Sequence, residues 1–360
     1  MIGFFSNVLR GVAVGLANII PGVSGGTMLL ILGVYERVIH ALRNIDVKTV
    51  LGIFKGKKSF IESMKKLDAL FMTGLAAGAV VTVVAMAKLM GYLLNKHHDP
   101  TYGFFFGLVL ASVIVPWRMI KAKSVVPMVA AVLGAVAVVG LTFAVSAERK
   151  IKRAESKIAR NIHKAQLEAA AAAGGADKVK RPPKASTSGA HLALFAGAGA
   201  IAIAAMILPG ISGSFMLLMM GVYFELLAAI NSRNYPLLGV FMLGCLVGLL
   251  LFTRLLNYLL EKHHDVTIGF LLGLVVGSLW AIWPFKEFKI VGAPAGLALP
   301  SGMDAAKLSL RVDLGNTLPA GFSTNEILTL ATVVAGCVIV GIFVWLEARN
   351  PTPPVQEKKA

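Results

Sequence analysis

The stretch Pro21-Gly-Val-Ser-Gly-Gly-Thr-Met28 recurs as Pro209-Gly-Ile-Ser-Gly-Ser-Phe-Met216, 188 positions later, and the register continues through Gly33-Val-Tyr35 and Gly221-Val-Tyr223. Farther on, Tyr92-Leu-Leu-Asn-Lys-His-His-Asp99 recurs as Tyr258-Leu-Leu-Glu-Lys-His-His-Asp265, at an offset of 166. The second match extends through Gly103, Gly107, Ser112 and Trp117 onto Gly269, Gly273, Ser278 and Trp283. Two matched blocks in the same order mark a tandem duplication.

The sequence between these blocks is apolar. Of 360 residues, 57% are hydrophobic and 15% charged, where a soluble chain carries about 25% charged residues. That balance excludes a cytosolic enzyme, a disordered chain and a disulfide-stapled secreted protein. Apolar runs fall at about 4–20, 27–42, 69–94, 102–117 and 125–147, then at 190–208, 214–230, 237–260, 266–285 and 326–347. A helix needs about 20 such residues to cross the hydrocarbon core. The expected fold is therefore an all-α, polytopic integral membrane protein.

In each half the first two runs are short and joined by the Pro-Gly turn, which predicts a re-entrant helical hairpin followed by about three transmembrane helices. Whether the hairpin spans or re-enters, each half crosses an odd number of times. The second half is then inverted relative to the first, an architecture common among secondary transporters. The expected organisation is a first membrane repeat at 1–147, a basic flexible linker at 148–189, a second repeat at 190–347 and a polar tail at 348–360. Within the first repeat, 43–67 reads as an interfacial amphipathic insert, because Val47, Val50, Leu51 and Phe54 are spaced i, i+3, i+4, i+7 between lysines.

The formal charge of +17 is concentrated. Residues 43–68 hold seven Lys/Arg against three Asp/Glu, and 148–184 hold eleven against four. Both stretches lie between apolar runs, so the charge belongs beside anionic membrane lipids and no nucleic-acid partner is expected. The short loops favour the face of 43–67 and 118–124 as cytoplasmic, while Arg149, Lys150, Lys152 and Arg153 argue the other way. Cys245 and Cys337 lie inside apolar runs and read as small hydrophobes. No cleaved leader is expected at the N-terminus.

Chemistry is expected first at the two turns. Pro21 and Pro209 end the incoming helix. Gly22, Gly25 and Gly26, with Gly210 and Gly213 in the second copy, permit the turn. Ser24 and Thr27, or Ser212 and Ser214, suit the N-cap of the outgoing helix. Its N–H groups and positive dipole end then face the loop, which favours an anion. The bland alternative is a glycine contact between closely packed helices.

Ionisable residues inside the apolar runs come next, since each is costly unless paired or wet. Lys88 and Arg254 occupy equivalent positions of the 166 register and suit a phosphate, or else snorkel to an interface. Glu36 and Glu225 follow the repeated Gly-Val-Tyr and read as proton-coupling carboxylates, partners for the cations, or helix-end residues at the headgroup level. The two Lys-His-His-Asp clusters tempt a metal reading, but inversion separates them and a zinc site needs converging ligands. They read instead as His–Asp pairs at a turn. There is no Walker motif, nucleophile elbow or HExxH, so neither a cofactor nor an enzyme activity is expected.

Gly15-Leu-Ala-Asn18 through Thr27, Gly33-Val-Tyr-Glu36, the second motif at 209–215 and Gly103 to Ser112 together resemble the polyprenyl-phosphate transporter family of bacterial membrane proteins. The resemblance implies translocation of undecaprenyl phosphate, the lipid carrier of cell-wall assembly, across the bacterial cytoplasmic membrane. A phosphate headgroup wants helix N-termini and cations, and a long tail can stay in lipid while the head crosses. The competing readings are a carrier for a small soluble anion, a membrane-embedded lipid phosphatase, and a scaffold that recruits partners through the basic linker. A homo-oligomer is compatible with all of them.

Overall fold

The structure is a computed structural model and describes residues 2–19, 25–45, 49, 52, 54–122, 124–144, 147–172, 189–292, 309–319, 321 and 323–349. The first half contains α1 (Ile2–Ile19), α2 (Gly25–Ile31), α3 (Tyr35–Arg43), α4 (Lys57–Lys66), α5 (Ala69–Lys96), α6 (His98–Ser112), α7 (Ile114–Met119) and α8 (Val125–Phe143). A helix α9 (Ala147–Ala172) follows. The second half contains α10 (Gly189–Ile207), α11 (Gly213–Met219), α12 (Tyr223–Asn231), α13 (Tyr235–Lys262) and α14 (His264–Ala281). Strands β1 (Lys286–Val291) and β2 (Leu310–Asn316) then precede α15 (Thr324–Arg349).

The repeated Gly-Val-Tyr is a helix stop. Gly33 and Gly221 have φ of 64° and 75°, a left-handed conformation that costs glycine little. The following amides, Val34 and Val222, reach back to the carbonyls of Leu29 and Leu217 at 3.0 Å, the long bond of a Schellman cap. In the first half this stop bends α2 against α3 by 117°. Asn234 accepts from the Leu237 amide at the start of α13, with a proline in the first turn, so that helix begins on an N-cap.

The duplication is legible in the packing. Helix α1 lies along α5, and α10 lies along α13. A Cβ on Gly11 would strike the Leu75 carbonyl, and one on its counterpart Gly199 would strike that of Phe241, Leu75's own counterpart. Between halves the pairing is exchanged: α6 packs on α15 and α14 packs on α8. Gly107 meets the Val333 carbonyl and Gly273 meets that of Ala131, while Gly336 and Gly134 meet those of Phe104 and Phe270. Both halves thus contribute a helix to the other's bundle through the same close backbone approaches.

Six described helices are long and apolar enough to cross a membrane, or seven if the bent pair α2–α3 is one span. Val125, Val129, Val132, Leu133 and Val136 of α8 are exposed, a continuous apolar face of the kind that borders lipid. The buried core runs through Tyr35, Phe71, Ile268, Leu271 and Leu274. The chain is an all-α polytopic membrane protein with one small addition.

That addition is outside the repeat. Strands β1 and β2 pair antiparallel, and Ala154, Ile158 and Ile162 of α9 bury themselves against Val291 and Val312. Ile151, Ala154, Ile158 and Ile162 are spaced i, i+3, i+7, i+11, one face of a helix. The stretch 148–189 reads in sequence as a basic helical extension passing into a flexible linker from about 169; the helix spans Ala147–Ala172 and is docked on the strands, and 173–188 lies outside the described residues. The two strands depart from the all-helical pattern expected of the sequence. Of the amphipathic insert, Val47, Val50 and Leu51 lie outside the described residues, and Phe54 is exposed. The tail from 350 lies outside them too.

Candidate functional site

The two Pro-Gly motifs meet. Helix α10 runs into Pro209, which is buried, and Gly210 follows with φ of 79°. A Cβ at Gly210 would strike the Leu274 carbonyl of α14, so this position is restricted to glycine by backbone conformation and by space. Held there, the Gly210 amide donates to Thr27 Oγ1 at 3.0 Å. One residue earlier, a Cβ on Gly26 would come within 2.6 Å of the Ile207 carbonyl. The start of α2 is thus seated on the end of α10.

Thr27 was expected to cap a helix. It lies instead inside α2, 2% exposed, and its hydroxyl accepts from the opposite motif. The first amide of α2, on Gly25, donates to Asn18 Oδ1 of α1 at 3.1 Å. Asn18 is therefore the group that closes the hairpin, a role the sequence reading did not assign. In the second copy the Ser212 and Ser214 hydroxyls bond each other at 2.9 Å, and Gly213 packs against the Ala202 carbonyl. Pro21, Gly22 and Ser24 lie outside the described residues.

The intramembrane charges are distributed differently. Lys88 lies on α5, and its side chain is outside the described part of the structure. Arg254 of α13 is exposed and lines a cavity of about 410 Å³ with Arg43, Asn44, Asn257, Tyr258 and Glu261. Among the described residues, none of either Pro-Gly motif lines that cavity. Each of the two candidate carboxylates faces a histidine: Glu36 lies 3.3 Å from His264 Nε2, and Glu225 lies 2.7 Å from His191 Nε2.

The Lys-His-His-Asp clusters form the expected His–Asp pairs. His98 and Asp99 are 2.9 Å apart, and His264 and Asp265 are 3.0 Å apart. Each aspartate also grips the segment leading into the exchanged helix of the other half. Asp265 accepts from the amides of Lys121 and Ala122, just before α8. Asp99 accepts from Asn325 at the start of α15 and from Arg311 of β2. Arg311 also reaches Asp313 at 3.1 Å, and His98 Nε2 lies 3.4 Å from the same carboxylate. Burial raises the Asp313 pKa, but the hydrogen bonds from His98 and Arg311 and their charges outweigh it and hold the carboxyl below its usual range. Burial pushes the neighbouring Lys286 amine down to about 8; it donates to Asn316 and to the Ala281 carbonyl. Among the described residues there is no group of three or more His, Cys, Asp or Glu that could hold a metal ion.

Apolar spans, a duplicated plan with exchanged helices, and two Pro-Gly motifs in contact between the halves define a polytopic helical membrane protein. The chain belongs to the undecaprenyl phosphate translocase-like (VCA0040-like) family, whose model matches residues 14–296. It is 34% identical over 284 residues to a polyprenyl-phosphate transporter of Vibrio cholerae serotype O1, covering 79% of each chain. It is 29% identical over 295 residues to a polyprenyl-phosphate transporter of Staphylococcus aureus, covering 79% of this chain and 88% of that one. Both relatives are named as transporters and neither as an enzyme. No solved structure matches the chain significantly.

Proposed function

We propose that this protein translocates undecaprenyl phosphate, or a closely similar polyprenyl phosphate, across the bacterial cytoplasmic membrane. Family membership supports the substrate class. The observation that carries the site is the contact of the two motifs, Gly210 amide to Thr27 hydroxyl. Irregular backbone inside a bilayer is tolerated where it is buried in protein or lines a cavity, and a junction drawn from both halves is where rocking of one half against the other changes access. The phosphate is taken at this junction by Gly25, Gly26, Thr27, Gly210, Ser212, Gly213 and Ser214, with Pro21, Gly22, Ser24 and Pro209 shaping the turns. The tail stays in lipid throughout.

In this reading the halves are inverted, the hairpins are re-entrant, and Lys88 and Arg254 neutralise the headgroup during its passage. Glu36 and Glu225 act through their histidines, exchanging protons or holding charge balance. The test is a flip assay on the full chain in sealed vesicles, comparing a polyprenyl phosphate with the matching polyprenol. The phosphate is expected to cross and the alcohol to show no protein-dependent transfer. Equal transfer of both, or uptake of inorganic phosphate in its place, overturns the reading.

A further inference from the structure

The cavity around Arg254 has a chemistry that the junction does not use. Arg254, Asn257, Tyr258 and Glu261 are spaced i, i+3, i+4, i+7 and so share one face of α13, closed by Arg43 and Asn44 at the end of α3. Arg43 pairs with Glu261 Oε1, and the Asn257 amide donates to the same oxygen at 2.6 Å. Arg254 makes no hydrogen bond or ion pair among the described residues. Two guanidiniums and two side-chain amides therefore line a volume of about 410 Å³ in which Glu261 is the only carboxylate among the described residues.

Depth and flank say what fits. A 28-residue helix such as α13 is about 42 Å long, and a bilayer is about 40–45 Å thick with its headgroups. The end of the helix at Glu261 thus reaches the headgroup layer, while Arg254, about 12 Å back from the helix end, sits just inside the apolar slab with its long side chain able to extend toward that layer. Leu255 beside the cavity, and Leu251 and Val247 toward the middle of the same helix, are exposed and form an apolar stripe at i, i+4 spacing that runs up to Arg254. The Arg43 and Glu261 side chains are 41% and 45% exposed, and an ion pair that wet contributes little to stability. A phosphomonoester, with about −1.5 to −2 charges and three acceptor oxygens, can displace Glu261 and engage both arginines.

We infer that this cavity is a docking site for the phosphate headgroup of a membrane lipid, with the lipid tail lying along Val247, Leu251 and Leu255. The inference rests on the lipid-carrier reading for the identity of that lipid, and it places capture at the edge of the bilayer, apart from the Pro-Gly junction. A free phosphate would use the same guanidiniums but gain nothing from the stripe.

The test is photolabelling of the full chain in phosphatidylcholine vesicles with geranylgeranyl phosphate carrying a diazirine on its tail, the labelled peptide being located by mass spectrometry. Label is expected on the segment 247–258. Arg254→Gln and Arg43→Gln should each reduce it about tenfold, the loss expected for one charge-assisted pair. Glu261→Gln, which releases Arg43 from its carboxylate, should raise it about threefold, an opposite sign that misfolding does not produce. Equal labelling of this segment in the arginine variants, equal labelling by geranylgeraniol, or full protection by millimolar inorganic phosphate overturns the docking site. Intact flipping with arginine-independent labelling sinks this inference alone. Arginine-dependent labelling without any flipping sinks the carrier reading and leaves the docking site standing.

Discussion

The amide of Gly210 donates to the hydroxyl of Thr27 at 3.0 Å, joining residues 183 positions apart and tying one Pro-Gly motif to the other. The bond is sheltered, since Thr27 is 2% exposed. Water has little access to replace it, so its loss leaves a donor short of a partner.

Thr27→Val keeps the shape of the side chain and removes the acceptor. The Gly210 amide is only part-buried, so leaving it without this partner costs at most about 1–3 kcal/mol, and the expected result is a lower unfolding midpoint in detergent together with slower flipping. Thr27→Ser, which keeps the oxygen, is expected to recover most of both. If Thr27→Val is as stable and as active as the parent, the junction is only a packing contact.

The exchange of α6 and α14 between halves depends on glycine. Gly107→Ala sets a methyl against the Val333 carbonyl, and Gly273→Ala sets one against that of Ala131. Overpacking of this kind costs about 1–3 kcal/mol, more than the helix propensity that alanine gains over glycine. Gly140→Ala on α8 meets nothing within 4 Å and should be neutral or stabilising by up to about 1 kcal/mol. Unfolding midpoints of the three variants give the comparison: two falls and one small rise.

The duplication makes much of this legible in the sequence. Repeated glycines and a repeated Gly-Val-Tyr carry their own physical reasons, a close approach and a left-handed stop, so the spans, the turns and the His–Asp pairs could be read from residue types. Asn18 was not legible, because its partner Gly25 is placed by tertiary approach rather than by helical spacing. The strands β1 and β2 were missed because Lys286–Val291 shows little alternation, being mostly exposed, and its apolar partner face comes from α9. Arg254 and Lys88 match in register, yet register does not say which helix end a side chain faces; the cavity at the end of α3 does.

Acid should loosen the clasp between β2 and α6. The Asp313 carboxyl titrates below its ordinary range in the folded protein, so the unfolded chain takes up the proton first as pH falls. Its stabilising contribution is complete above the ordinary carboxyl pKa, fades as pH drops through the folded value, and is absent below it. Asp313→Asn is expected to remove that part of the acid dependence of stability. At the other end, Lys286 loses its proton near pH 8 when folded and near 10.5 when unfolded. The hairpin should therefore gain stability as pH rises between those values. Amide exchange across β1 and β2 as a function of pH measures both slopes.

The contact of α9 with the strand pair is a separate small core, built on Ile158 and Ile162, which are 1% and 0% exposed. Ile162→Asp buries an unpaired charge against Val291 or Val312, an outcome that costs several kcal/mol or forces the helix off the sheet. Release is the cheaper course, because among the described residues α9 is the only helix in that cluster and the membrane-spanning helices do not share its core. The expected result is fast amide exchange and proteolysis within 147–172, with protection of α6 and α14 retained. Loss of protection throughout the bundle would instead mean that α9 and the hairpin are needed to hold the two halves together.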